Sequence, residues 1–210
     1  MTEKYAHSDR SGRLQEKPIS LREQQKLITQ KRLIEAAVRV FLERGCTDST
    51  VDDIVAAAAV GRATFYLHFK NKLEVMRALI REMGQQNEHL IEELRSWNRP
   101  TRVTVESWVQ RFVQHWLEEG DRFLVGLQAL ASEPELSGEF EAGIQLATTV
   151  LTKLLEKGGG MPTTEAQLRA NLLVGALQQA CRALVREPDR YSVSLVVRVI
   201  TEIWVTNLGV

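Results

Sequence analysis

The 210-residue chain has only two cysteines, five prolines and no long hydrophobic run. Cys46 and Cys181 stand far apart, so neither a disulfide framework nor a zinc spacing can be read from them. Two small buried apolar residues in a reduced compartment are the expected reading. The longest apolar run, Ile54 to Val60, is far short of the roughly 20 residues of a membrane-spanning helix. Met1 to Pro18 is polar and has no apolar h-region, so no secretory signal is expected and the chain is placed in the cytoplasm. Alternating strand patterns are nearly absent. There is also no net charge: 27 Lys plus Arg balance 27 Asp plus Glu. Zero net charge argues against a nucleic-acid partner only if the charge is evenly spread. Residues 1–72 hold 13 basic and 9 acidic residues, and the remainder holds 14 and 18. The first third is therefore +4 and the rest −4, an asymmetry that hints at nucleic acid at one end.

What is present is helical periodicity. Ile34, Ala37, Val38 and Phe41 repeat at spacings of three and four, and Pro and Gly fall at plausible borders. The pattern predicts an all-α chain with helices near 22–44, 51–58, 62–69, 72–96, 101–118, 121–133, 135–157, 163–186 and 190–207. Residues 1–21 read as a flexible N-terminal arm, 22–71 as one domain and 72–210 as a second.

Residues 50–69 are the most specific stretch. Thr50 and Asp53 can cap a short helix reciprocally, a variant of the capping box. That helix breaks at Ala59-Val60-Gly61, and another begins at Arg62, which makes a helix-turn-helix. At about 100° per residue, Phe65 and Phe69 share an inner face. Ala63 and Leu67 lie opposite, flanked by Arg62 and Tyr66 on one side and Thr64 and His68 on the other. Arg can grip guanine, and the methyls of Thr and Ala can meet thymine. Tyr and His can donate to phosphates. Asn71 and Glu74 mark the next helix start, where Lys72 and the first amides suit a phosphate.

Those residues carry a resemblance. The text LIEAAVRVFLERG followed by STVDDIVAAAAVGRATFYLHFKNKLEVM, within Lys31–Met76, resembles the DNA-binding region of the TetR family of bacterial regulators. The resemblance implies an N-terminal three-helix operator-binding domain, a C-terminal effector-binding and dimerisation domain, and about nine helices. It places Arg62, Ala63 and Thr64 where the family reads bases, Tyr66, His68 and Lys72 on phosphates, and Thr50 at the cap near the backbone. Two residues depart from the family's pattern, which has Gly at Ala59 and Ser at Gly61. If the turn needs a positive φ, Ala59 costs about 1 kcal/mol.

Beyond residue 100 there is no G-x-S-x-G, H-E-x-x-H or phosphate loop, and His7, His89 and His115 lack metal spacing, so neither an enzyme nor a metal site nor a cofactor is expected. Trp108, Phe112 and Trp116 are spaced by four and read either as core or as the wall of an apolar effector pocket. Trp204 could join them, and Gln128 and Gln178 could add polar contacts. The region offers few cations, which favours a small hydrophobic effector. Leu172, Ala176, Ala180 and Ala183, with the broad apolar face of Val196, Val197, Ile200, Ile203 and Trp204, suggest a homodimer through helices 163–186 and 190–207. The resulting expectation is a repressor of operator DNA released by a small hydrophobic molecule. The rivals are a ligand-independent architectural or accessory DNA-binding factor, a small helical enzyme and a helical adaptor.

Overall fold

A computed structural model describes residues 20–210, so most of the expected 1–21 arm lies outside the described residues. Ser20 already caps the first helix. Its hydroxyl accepts from the Glu23 amide while its own amide donates to the Glu23 carboxylate at 2.9 Å, a full capping box. The helix α1, Leu21–Asp48, buries the stripe Leu33, Ile34, Ala37, Val38 and Phe41. The expected stop at residue 44 is a kink. Gly45, at φ 81°, departs from helical geometry, and the chain then turns once more before Ser49.

The helices α2 (Val51–Ala58) and α3 (Arg62–His68) follow, then α4 (Lys72–Ser96). Thr50 caps α2 as expected, giving its hydroxyl to Asp53 at 2.7 Å and accepting from the Asp53 amide at 3.2 Å. Asn71 caps α4 through the Glu74 amide at 3.0 Å. The Glu74 carboxylate does not return to the cap residue but accepts from the Lys70 amide at 2.8 Å, one residue earlier.

The remainder comprises α5 (Arg102–Glu118), α6 (Gly120–Ser132), a 3₁₀ turn at Pro134–Leu136, α7 (Ser137–Gly159), α8 (Thr163–Arg186) and α9 (Val193–Leu208). Pro134 shifts the start of α7 two residues past the sequence expectation. The start of α9 also moves, from 190 to 193. Residues 188–190 form a turn in which the Arg190 amide meets the Glu187 carbonyl at 3.0 Å, and Ser192 then caps the Leu195 amide. The described residues hold nine α-helices and no strand.

One apolar core runs through the whole set, from Leu33 in α1 to Val205 in α9. The helix α4 is its hinge pin, packing on α1 at one end and on α6 and α7 along its length. Gly126 of α6 permits the close approach, because a Cβ there would lie 3.0 Å from the sulfur of Met83. Both cysteines are buried thiols, and burial pushes Cys46 up to about 11 and Cys181 up to about 12. They are inert apolar fillers, as their isolation in the sequence implied.

The apolar face of α9 needs correction. Val196, Val197, Ile200 and Trp204 are buried within their own chain, where α9 packs on α5 and α8. The apolar surface left over is Val199 and Ile203 of α9 with Leu168 and Leu172 of α8, the latter 64% exposed. Ala176, Ala180 and Ala183 are only partly covered. Among the described residues no helix is long and apolar enough to cross a membrane.

Candidate nucleic-acid interface and effector cavity

The short helix α3 is anchored by two rings. Phe65 is fully buried and Phe69 nearly so, with their centroids 5.9 Å apart. That anchoring fixes the rotation of the helix, and Arg62, Ala63, Tyr66 and Leu67 face outward. Thr64 and His68 stand at the edge, half-buried. Tyr66 lies edge-on against Phe65 at 5.4 Å, so its ring is braced while it remains 51% exposed. Leu67 is 77% exposed and nothing within the chain accounts for it. A leucine there could meet a thymine methyl, a contact the sequence reading did not assign.

The turn before α3 does require a positive φ. Ala59 takes φ 50°, ψ 48°, with its amide held by the carbonyls of Ala56 and Val55. Gly61 occupies the cap of α3 and offers no side chain for it.

Two of the expected contact residues are already engaged. The Arg62 guanidinium pairs with Asp52 of α2 at 3.3 Å, an exposed pair worth little in water and readily exchanged. Residues 61–72 contain no carboxylate of their own, and the neighbouring helix supplies the countercharge. A hydrogen bond donated to the Tyr66 hydroxyl, with help from Asp52, holds the Arg62 guanidinium above its ordinary value. His68 is held below the usual imidazole range, first by burial and then by Lys26 of α1. Lys26 therefore shares this surface, and only the fold brings it there.

Lys72 is the clear departure. It was expected to reach a phosphate, but its ammonium turns inward to the frayed end of α1. It donates to the carbonyls of Cys46 at 2.5 Å, Thr47 at 3.0 Å and Ser49 at 2.8 Å. All three of its protons are used. The buried Ser49 hydroxyl completes the cap by donating to the Gly45 carbonyl at 2.5 Å. A helix end leaves carbonyls without partners, and this one is closed by a cation from the next long helix.

A second feature lies among α4–α9: an apolar cavity of about 90 Å³. That is smaller than most small-molecule sites, so a bound effector has to displace some of the lining side chains. Trp108, Phe112, Trp116, Trp204 and Gln178 all line it, as expected. Gln128 does not. It sits on the exposed side of α6, over a shallow recess beside Arg44–Asp48, because Phe123, Val125 and Ala129 take the inner side. Asn87 and Glu139 line the cavity and were missed. Asn87 was discoverable, since it interrupts the apolar stripe Ile80, Met83, Ile91 and Leu94 of α4 at helical spacing. Nothing local marks Glu139.

The aromatic wall is layered. Trp108 stacks on Phe112 at 5.2 Å and on Trp204 at 5.0 Å, while Trp116 lies flat on Phe123 at 3.7 Å. The Trp108 indole donates to the Leu90 carbonyl at 2.9 Å. The indole nitrogens of Trp116 and Trp204 and the amide oxygen of Asn87 are buried with no partner among the described residues. At the mouth, Glu139 of α7 receives Arg77 at 2.8 Å and Arg81 at 3.5 Å, both from α4. The rings of His89 and His115 meet edge-on at 6.3 Å, but the described residues contain no group of three ligands for a metal.

Comparison with known proteins places these features. The family model for bacterial regulatory proteins, tetR family, matches residues 33–79, which span α1 to the first turns of α4. The transcriptional regulator SrpR of Pseudomonas putida is 26% identical over 196 residues, covering 78% of this chain and 88% of SrpR. The regulator TtgR of the same species is 40% identical over 62 residues, about 30% of either chain. Among solved structures, the regulator FadR of Bacillus subtilis, in complex with stearoyl-CoA, aligns over 84% of this chain and 98% of its own. Its TM-score is 0.68 at 21% identity, so it is similar in fold.

Proposed function

This chain belongs to the tetR family of bacterial regulatory proteins, a family of transcriptional regulators rather than enzymes, and from that premise we propose that it represses transcription from an operator and is released by a small hydrophobic effector. The single observation that carries the reading is the arrangement of α3. Phe65 and Phe69 lock its inner side, and Arg62, Ala63, Thr64 and the exposed Leu67 are left for a major groove. Thr50, at the start of α2, together with Tyr66 and His68, would lie against the phosphate backbone. Lys26 adds positive charge to that side.

Two such heads must be presented together. The uncovered apolar residues of α8 and α9, Leu168, Leu172, Val199 and Ile203, support a homodimer built as a four-helix bundle. Its α3 helices would enter successive major grooves, about 34 Å apart.

The helix α4 connects the two halves. Lys72, in its first turn, closes α1, and Met83, Asn87 and Ile91 further along line the cavity. A ligand that prefers one tilt of α4 biases the spacing of the heads, and only its unequal affinity for the two states can do so. The solved complex of the Bacillus subtilis regulator with stearoyl-CoA supports an effector with a large apolar part. The rival reading, a DNA-binding factor without a ligand, predicts a domain packed solid, whereas a small apolar cavity lined by aromatic rings remains here.

The test is footprinting of the chain on its own upstream region, followed by Thr64→Ala and Tyr66→Ala. Thr64→Ala should weaken operator binding by about 1–3 kcal/mol and leave non-specific affinity nearly unchanged, whereas Tyr66→Ala, at a phosphate-contacting position, should weaken both. Wild-type operator affinity in both folded variants would defeat the assignment of α3.

A further inference from the structure

We propose that the cavity among α4–α9 takes an uncharged, flat aromatic molecule that carries a hydrogen-bond acceptor for the indole N–H groups of Trp116 and Trp204 and a donor for the amide oxygen of Asn87. The proposal rests on the reading of this cavity as the effector site and specifies its ligand.

The shape comes from the rings. Trp108 and Phe112 are inclined by 26°, Trp108 and Trp204 by 28°, and Phe112 and Trp116 by 32°. These rings are stacked on one another, so a planar partner continues the stack by inserting beside it rather than lying on a free wall.

The polar requirement comes from unmet groups. Trp204 is fully buried and Trp116 is 3% exposed, yet neither indole nitrogen has a partner among the described residues. Trp108, the third tryptophan of the wall, has one in the Leu90 carbonyl. Asn87 gives its Nδ2 to the Met83 carbonyl at 3.0 Å, which fixes the amide orientation and leaves Oδ1 without a donor. Buried donors and acceptors are nearly always paired in a finished structure. Two donors and one acceptor around an apolar cavity are therefore complementary to a carbonyl or ether oxygen and to a hydroxyl or amide N–H on one ligand.

Neutrality comes from the charge inventory. Glu139 is the only ionisable residue on the lining, and two arginines already hold it. No Lys, Arg or His lines the cavity. A carboxylate carried inside would remain unpaired, and that is expensive. It would have to stay at the mouth and displace Glu139 from Arg77 and Arg81.

Isothermal titration calorimetry of the full chain with five probes tests this: a hydroxyacetonaphthone, acetonaphthone, ethylnaphthalene, naphthoate and decanoate. The neutral ketones should bind about tenfold or more tighter than ethylnaphthalene, the size of one satisfied buried hydrogen bond. The hydroxyl should add a further gain that Asn87→Leu abolishes. Trp116→Phe and Trp204→Phe should each reduce the ketone advantage while leaving ethylnaphthalene affinity nearly constant. The wild-type probe series stands by itself if Trp204→Phe fails to fold. Decanoate or naphthoate binding as tightly as acetonaphthone, or ketone and hydrocarbon binding alike, overturns the proposal and leaves the cavity as a hydrophobic effector site. Binding of none of the five overturns both.

Discussion

The ammonium of Lys72 joins α4 to the end of α1, and Lys72→Met removes it while preserving most of the stem. The wild-type group makes three contacts of 2.5–3.0 Å to main-chain carbonyls in a half-buried setting. A hydrogen bond from a charged donor contributes about 1.5–3 kcal/mol net. The three cannot simply be added, because they share one charge, and water can reach the Thr47 carbonyl once the ammonium is gone. The expected loss is about 2–4 kcal/mol. At the size of this chain that is roughly a 5–15 °C fall in midpoint. Urea unfolding at a fixed protomer concentration measures it. The loss should change little between low and high salt, since the partners are neutral dipoles rather than ions. Operator binding measured in parallel separates this role from a phosphate contact. A lysine held by carbonyls leaves the slope of log affinity against log salt as it was, whereas a lost phosphate contact lowers it by about one unit per protomer. A stability change under about 0.5 kcal/mol together with a lowered salt slope would refute the capping argument.

Ala59→Gly should stabilise the chain by about 0.5–1 kcal/mol, because Ala59 sits at φ 50° where a Cβ is unfavourable; a urea midpoint that stays put or falls would contradict it. Leu172→Glu or Ile203→Glu should give folded monomers by sedimentation, whereas Ile200→Glu, at a buried position, should unfold the protein; a dimer that survives both exposed substitutions would move the interface elsewhere. Burial chiefly, and His89 secondarily, hold His115 below the usual imidazole range against the opposing pull of Glu119 and Glu118. The unfolded chain then binds the proton first, so stability should fall as pH drops from about 7 through 6.5 and level off below the folded value. His115→Gln should flatten that dependence in thermal melts between those pH values, and an unaltered slope would exclude the residue.

The helices were legible because their signals are local. Thr50 and Asp53, Asn71, and the Pro and Gly borders act within one turn of where they stand, and the spacing of three and four says which side of α1 or α3 is buried. The outward face of α3 follows from Phe65 and Phe69 alone. The aromatic stripe of α5 was readable for the same reason, whereas the positive φ at Ala59 was only a conditional expectation drawn from the family's glycine there. What the sequence did not determine depends on residues far apart in the chain. Lys72 has carbonyl partners some 25 positions upstream, so its identity as a cation was plain and its partner was not. Val196, Val197 and Ile200 read as a spare apolar face, but whether such a face is covered by the same chain or by a second one is settled only when α5 and α8 are docked against it. Gln128 and Asn87 are both amides on helices beside the cavity. The rotation of α6 turns one outward and that of α4 turns the other in, and packing set those rotations. Local hydrogen bonding and periodicity are encoded over four residues, whereas the cavity, its unpaired indoles and the Glu139 clasp exist only where six helices meet.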